Sequence, residues 1–165
     1  MLITQIQPFD RSQNSELVDF TGKIYWVQAV DLNKFGKWSV QFYPESQSLE
    51  KIRDLQGRKG LRNLLKRNDN GDYLQISRPP QIEFSKGVFT PVTPPKIRDK
   101  DKNPFDGRII GDGSDAIVTC EQYEFKIPNS ERRAVALRLY GLTVLDLVPK
   151  AAPEVAPQEE TAGWD

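Results

Sequence analysis

The sequence predicts a small, mainly β barrel, and three observations carry that expectation. Residues 107–148, GRIIGDGSDAIVTCEQYEFKIPNSERRAVALRLYGLTVLDLV, read as two long strands joined by a short polar loop. Two shorter aromatic-rich runs, 23–30 (KIYWVQAV) and 37–43 (KWSVQFY), enclose a polar loop containing Gly36 and read as a hairpin. The 165 residues suffice for one domain with a proper core and fall short of two comfortable ones.

Taken in order, residues 1–21 are mixed, with Pro8 and an Asn-Ser-Glu cluster, and read as an arm or short strand leading into the barrel. In the hairpin's second strand Trp38, Val40 and Phe42 share one face while Lys37, Ser39, Gln41 and Tyr43 share the other, which assigns the apolar set to the core. Trp26, whose same-face neighbour is Ile24, suits the core and a stacking role equally, as does Tyr25. Pro44 ends the strand, and Ser46 can cap a helix over 48–56, where Leu49, Ile52 and Leu55 recur every three residues. Gly57 and Gly60 break it, and a second helical piece is expected over 61–67, pairing Leu61 with Leu64 and Leu65. Asn70-Gly71 then turns the chain into a third strand over 72–78, with Leu74 and Ile76 alternating against Tyr73, Gln75 and Ser77.

Pro79-Pro80 halt that strand, and residues 79–106, interrupted also by Pro91, Pro94, Pro95 and Pro104, read as a long loop lying over the barrel. The Gly111-Asp112-Gly113-Ser114 turn opens the strand over 116–126, rich in β-branched and aromatic residues, and Pro128-Asn129-Ser130 closes it. The last strand sets Val135, Leu137 and Leu139 on one face and Ala134, Ala136, Arg138 and Tyr140 on the other. Residues 151–165 are Pro, Ala and Glu with Trp164 near the end, a composition expected to stay disordered.

Charge is divided unevenly. All 23 basic residues lie in 1–150 with 19 of the 23 acidic ones, so a body of net +4 precedes a tail carrying only acids, Glu154, Glu159, Glu160 and Asp165. With one cysteine and no histidine, a disulfide framework and a His- or Cys-clustered zinc site are excluded. Cys120 alternates with Val118 and Ala116 and is read as a small core residue. No run approaches a membrane span and the N-terminus lacks the order of a signal peptide, which leads to the expectation of a soluble, cytoplasmic protein without membrane contact. A phosphate-binding Gly loop and a nucleophile elbow are both missing, and the carboxylates are scattered, so neither catalysis nor any cofactor or metal is expected. Asp99 and Asp101 sit among lysines, where surface ion pairs are the simpler explanation.

The candidate site is a basic and aromatic surface: Lys37, Tyr43, Lys66, Arg67, Tyr73, Arg78, Arg138 and Tyr140, placed by alternation outward or in adjoining loops. Aromatic rings stack on unpaired bases and Lys or Arg beside them neutralise phosphates. Singly, each tyrosine is as well explained as an ordinary strand residue and each cation as part of a solvated face.

PFDGRIIGDGSDAIVTCEQYEF followed by VALRLYGLTVLDLV resembles the final barrel strands of the tailed-phage OB-fold single-stranded-DNA-binding proteins, whose members carry a Gly-x-Gly-Ser turn, a β-rich run ending in an aromatic, and a closing x-Leu-Arg-Leu strand. The resemblance covers about 23–148. It implies a five-stranded Greek-key OB barrel over 1–150, with a helical insertion between strands 2 and 3, followed by a disordered acidic tail over 151–165. It further implies sequence-independent binding of single-stranded DNA in phage replication and recombination. Phage or host replication proteins (polymerase, helicase or primase) would be recruited through Glu154, Glu159, Glu160, Trp164 and Asp165. Family tails are more densely acidic and finish on the aromatic, whereas this one finishes Trp164-Asp165. An RNA-binding OB module and a virion or protein-interaction β-barrel stay open as alternatives, as do a monomer and a homodimer.

Overall fold

The computed structural model describes residues 8–150, so the expectations placed on the 151–165 tail lie outside the described residues. The chain runs β1 (Glu16–Gln28), β2 (Trp38–Pro44), α1 (Ser46–Lys59), β3 (Lys66–Asn68), β4 (Gly71–Arg78), β5 (Gln81–Ser85), β6 (Val88–Pro91), β7 (Lys96–Asp99), a 3-10 turn (Gly107–Ile109), β8 (Ser114–Lys126) and β9 (Arg133–Asp146). A seven-stranded sheet has the order β3-β4-β2-β1-β8-β9-β7, and β5 with β6 forms a separate ribbon. Within that sheet only β7 on β9 is parallel.

Alternating apolar residues decide which side of the sheet closes on itself. Phe20 and Ile24 of β1, Val40 and Phe42 of β2, Leu74 and Ile76 of β4, Val118 of β8 and Leu139 of β9 are all buried in one cluster. Cys120 joins them, and burial pushes its thiol far above the ordinary range. Helix α1 covers one end through Ser48, Ile52 and Leu55, a spacing of four and three residues that lines one helical face.

The sheet rolls until β4 approaches β9, and residues 61–63 join them. Leu61 bridges to Val135, and the Arg62 amide donates to the Val135 carbonyl at 2.8 Å. The Asn63 carboxamide accepts from the Leu137 amide at 2.9 Å and donates to the Leu137 and Gln75 carbonyls at 3.2 and 3.5 Å. The Asn63 side chain thus bonds both polar groups of β9 at Leu137 and reaches β4 at Gln75. The close crossing of β1 over β2 falls at Gly22, where a Cβ would run into the Tyr43 carbonyl.

The structure corrects several expectations. The second helical piece over 61–67 does not form: Gly60, at φ 65°, ends α1, and the chain leaves to bridge β9 and then enter β3. Gly57 lies inside the helix rather than ending it, and Ser46 makes no cap bond; instead the Ser48 hydroxyl accepts from the Thr21 amide at 2.7 Å. Residues 16–21, read as part of an arm or short strand leading into the barrel, are the first half of the 13-residue β1. The long loop over 79–106 contains β5, β6 and β7, because its prolines fall at strand ends and edges where no ladder donor is required. Asp99 accepts from the Asp101 and Asn103 amides at 2.9 and 3.0 Å, shaping its own turn rather than pairing with lysine.

Candidate nucleic-acid interface

The outward face of β1, β2 and β4 forms, with the 31–37 loop, a groove of about 680 Å³. Trp26, Phe35 and Tyr73 line it together with Lys34, Lys37, Lys66 and the amides Gln28, Asn33, Gln41 and Gln75. Trp26 is 66% and Phe35 74% exposed, unusual for rings of that size. Lys34, Lys37 and Lys66 form no ion pair with any described residue; the Lys34 ammonium lies 5.2 Å from the Phe35 ring.

A slip in strand register produces the outward tryptophan. Tyr25 faces Gln41 and Gln28 faces Ser39, so β1 spends one residue more than β2 between those pairs. Period-two alternation would bury Trp26 with Ile24, but at the bulge the tryptophan takes φ 52° and swings outward. The left-handed region costs a non-glycine residue about 1–2 kcal/mol, so something must hold it there. The Trp26 amide donates to the Asp112 carboxylate at 2.8 Å.

The 31–37 loop is braced by Asn33. Its carboxamide oxygen accepts from the Phe35 and Lys37 amides at 2.8 and 3.1 Å, while its nitrogen donates to the Ser39 hydroxyl at 2.9 Å. Gly36, at φ 74°, closes the turn and leaves Phe35 projecting. Tyr73 is supported from beneath: its ring lies 5.3 Å from that of Tyr43, which meets Tyr25 edge-on at 4.8 Å.

Of the residues expected at the site, Lys37, Lys66 and Tyr73 come together in this groove. Tyr43 is on the expected face but only 8% exposed, with its hydroxyl accepting from Asn68 at 2.6 Å, so its outward placement is corrected to that of a support. Arg67 stands exposed on β3 and pairs with Asp72 at 2.9 Å. Arg138 lines a neighbouring depression of about 300 Å³ that shares Lys37 and Ser77 with the groove and adds Arg62 and Tyr123. There Arg138 pairs with buried Glu121 at 2.9 Å and lies 4.3 Å from the Tyr123 ring, while Arg62, over Phe125 at 5.6 Å, has no carboxylate partner among the described residues.

Arg78 and Tyr140 lie elsewhere, and the outward placement of Arg78 is corrected. At 0% exposure its guanidinium donates to the carbonyls of Thr93, Asp10 and Leu139 at 2.6, 2.7 and 3.3 Å and to the Thr93 hydroxyl at 2.8 Å. Burial draws its pKa below the ordinary arginine value. Tyr140 is the extra residue of a second bulge, between Leu139 opposite Cys120 and Gly141 opposite Thr119. Its hydroxyl donates to Asp10 at 2.6 Å, and Asp10 also takes the Lys96 ammonium at 2.7 Å.

Sequence reasoning passed over Phe35, Lys34 and Arg62. An aromatic between lysines in a Gly-containing loop, Lys34-Phe35-Gly36-Lys37, is the signal that marked the first two. Arg62 had no such signal, because its position depends on the bridge to Val135.

The rolled β sheet has the fold of phage single-stranded-DNA-binding proteins. Among solved structures it is similar to gp2.5, a single-stranded DNA binding protein encoded by bacteriophage T7, with TM-score 0.60 at 12% identity over 92% of this chain and 99% of that one. It is also similar to the single-stranded DNA-binding protein of bacteriophage Enc34, with TM-score 0.52 at 11% identity over 91% and 95% of the two chains. A C-terminal truncation of the Enc34 protein matches at TM-score 0.52 and 10% identity, over 89% of this chain and 98% of that one. No protein-family model and no curated protein matches the sequence.

Proposed function

We propose that this chain is a non-enzymatic, sequence-independent single-stranded-DNA-binding protein of phage replication and recombination, acting in the host cytoplasm. Its five long strands β1, β2, β4, β8 and β9 serve as an OB-type Greek-key barrel. The observation that carries the proposal is the groove in which Trp26, Phe35 and Tyr73 stand among three lysines that no described carboxylate neutralises. Such a surface stacks unpaired bases of any sequence and holds the phosphates between them, whereas the bases of a duplex are already stacked on one another. The neighbouring depression, with Arg62 and Tyr123, extends the track past Lys37 and Ser77.

The 151–165 segment, with Glu154, Glu159, Glu160, Trp164 and Asp165, acts in this reading as a tethered recruiter of phage or host replication proteins. Deleting it should leave the fold intact and abolish that recruitment, which a pull-down with the polymerase or helicase-primase reads directly.

Fluorescence anisotropy with labelled dT, rU and duplex oligomers in one buffer tests the DNA reading. Tight binding of dT, with weaker rU and duplex binding, is expected. Preference for rU would indicate an RNA module, and no binding of any oligomer would indicate a protein-interaction barrel; either result overturns the proposal.

A further inference from the structure

Resting on the single-stranded-DNA reading, we infer that Asp112 is a positioning residue that holds Trp26 out of the sheet as a base-stacking platform, so that the Gly111–Ser114 turn controls binding without touching DNA. The ladder between β1 and β8 ends where Ile24 meets Ser114, and the Gly113 amide donates to the Ile24 carbonyl at 2.9 Å. Two residues further on, the β1–β2 register slips, and the Trp26 amide has lost its place in both ladders. The Asp112 carboxylate reaches back across that gap and takes the amide at 2.8 Å. The carboxylate oxygen accepts from the Trp26 N–H and so satisfies a donor that has no register partner in either ladder.

That bond is coupled to the conformation of the tryptophan. At φ 52° Trp26 occupies backbone space that an L side chain rarely adopts, and the residue is left 66% exposed, lining the groove. Without the acceptor at position 112 the segment is free to relax toward ordinary extended backbone, and by alternation that turns the ring away from the groove. Gly113, at φ 90°, lets the turn bring Asp112 close enough. The strain at position 26 and the carboxylate at position 112 therefore form one device.

The full chain and its variants Trp26→Ala, Asp112→Ala, Asp112→Asn and the double Trp26→Ala/Asp112→Ala test this by titration with a labelled dT oligomer. Trp26→Ala should weaken binding between about 5- and 100-fold, the range one stacked base supports. Asp112→Ala should weaken it by at least about threefold, the scale of one lost hydrogen bond, and should add nothing once Trp26 is gone. Asp112→Asn keeps an oxygen that accepts the same bond and should stay within about twofold of the parent. Acrylamide quenching of Trp26, read as the difference between each chain and its Trp26→Phe counterpart, should change in Asp112→Ala and not in Asp112→Asn. The inference is overturned if Asp112→Ala leaves the Trp26 signal unchanged, if its effect persists in the double variant, or if Asp112→Asn falls with it, which would make charge the cause. Failure of the parent chain to bind dT would overturn the functional reading instead, and the quenching comparison would still decide on the latch.

Discussion

Cations and aromatic rings gather twice on this molecule, to opposite effect. Around Asp10 the groups satisfy one another: Arg78 spends its guanidinium on three carbonyls and a hydroxyl, while Tyr140 and Lys96 close on one carboxylate. Along the groove, Lys34, Lys37 and Lys66 meet no carboxylate among the described residues, and Trp26 and Phe35 stand exposed. Residue type does not separate a structural knot from a binding surface; what separates them is whether hydrogen-bond and charge capacity has already been used inside the fold.

The contrast breaks first, and most severely, at Arg78. Arg78→Ala strips the partners from buried carbonyls and opens a hole, and should destabilise the protein by about 3–5 kcal/mol in denaturant unfolding. Any DNA defect in that variant should vanish under conditions where it is folded. A smaller, reciprocal effect is expected in the groove: Phe35→Ala or Tyr73→Ala should each weaken dT binding by about 1–3 kcal/mol, with melting changed little for Phe35. If Tyr140→Ala weakens binding as much while melting unchanged, the division between the two clusters is wrong.

The next test weighs charge. Neutralising Lys37 or Lys66 should lower the slope of log K against log salt by about 1 each, because each releases its own counterion share. Neutralising Lys96, committed to Asp10, should leave that slope unchanged. The smallest effect concerns acid. Burial works to raise the Asp10 pKa, but hydrogen bonds from Lys96, Tyr140 and Thr93 draw it down to about 2. A carboxyl depressed by folding stabilises most above its unfolded pKa, so the knot's contribution is complete above about pH 4 and is lost as pH falls toward 2. Asp10→Asn should remove that limb from the acid-unfolding curve.

How much of this was legible in the sequence depended on how local its cause was. The β1–β2 hairpin, α1 and the β8–β9 pair follow from periodicity within single segments and all form, although β1 begins earlier, at Glu16, and α1 runs on through Gly57 to Lys59. Strands β5 to β7 were hidden because prolines at strand ends look, in a sequence, like prolines inside a loop. Lys37 and Tyr73 came from clean alternation, whereas Arg78 shares the buried side of its strand with Leu74 and Ile76, so the alternation itself pointed inward, and Thr93 and Asp10, from distant segments, take up its guanidinium there. Trp26 was left undecided because one inserted residue reverses the face of a strand, and nothing local announces that insertion.

The most direct test of the groove as the DNA-binding surface is amide chemical-shift mapping of the full chain titrated with a dT oligomer. The largest shifts should fall on Trp26, Phe35, Lys37, Tyr73 and Gln75, followed by Arg62 and Tyr123, with Asp10, Thr93 and Lys96 unmoved. Shifts concentrated on Asp10, Lys96 and Tyr140, with the groove silent, would contradict the account.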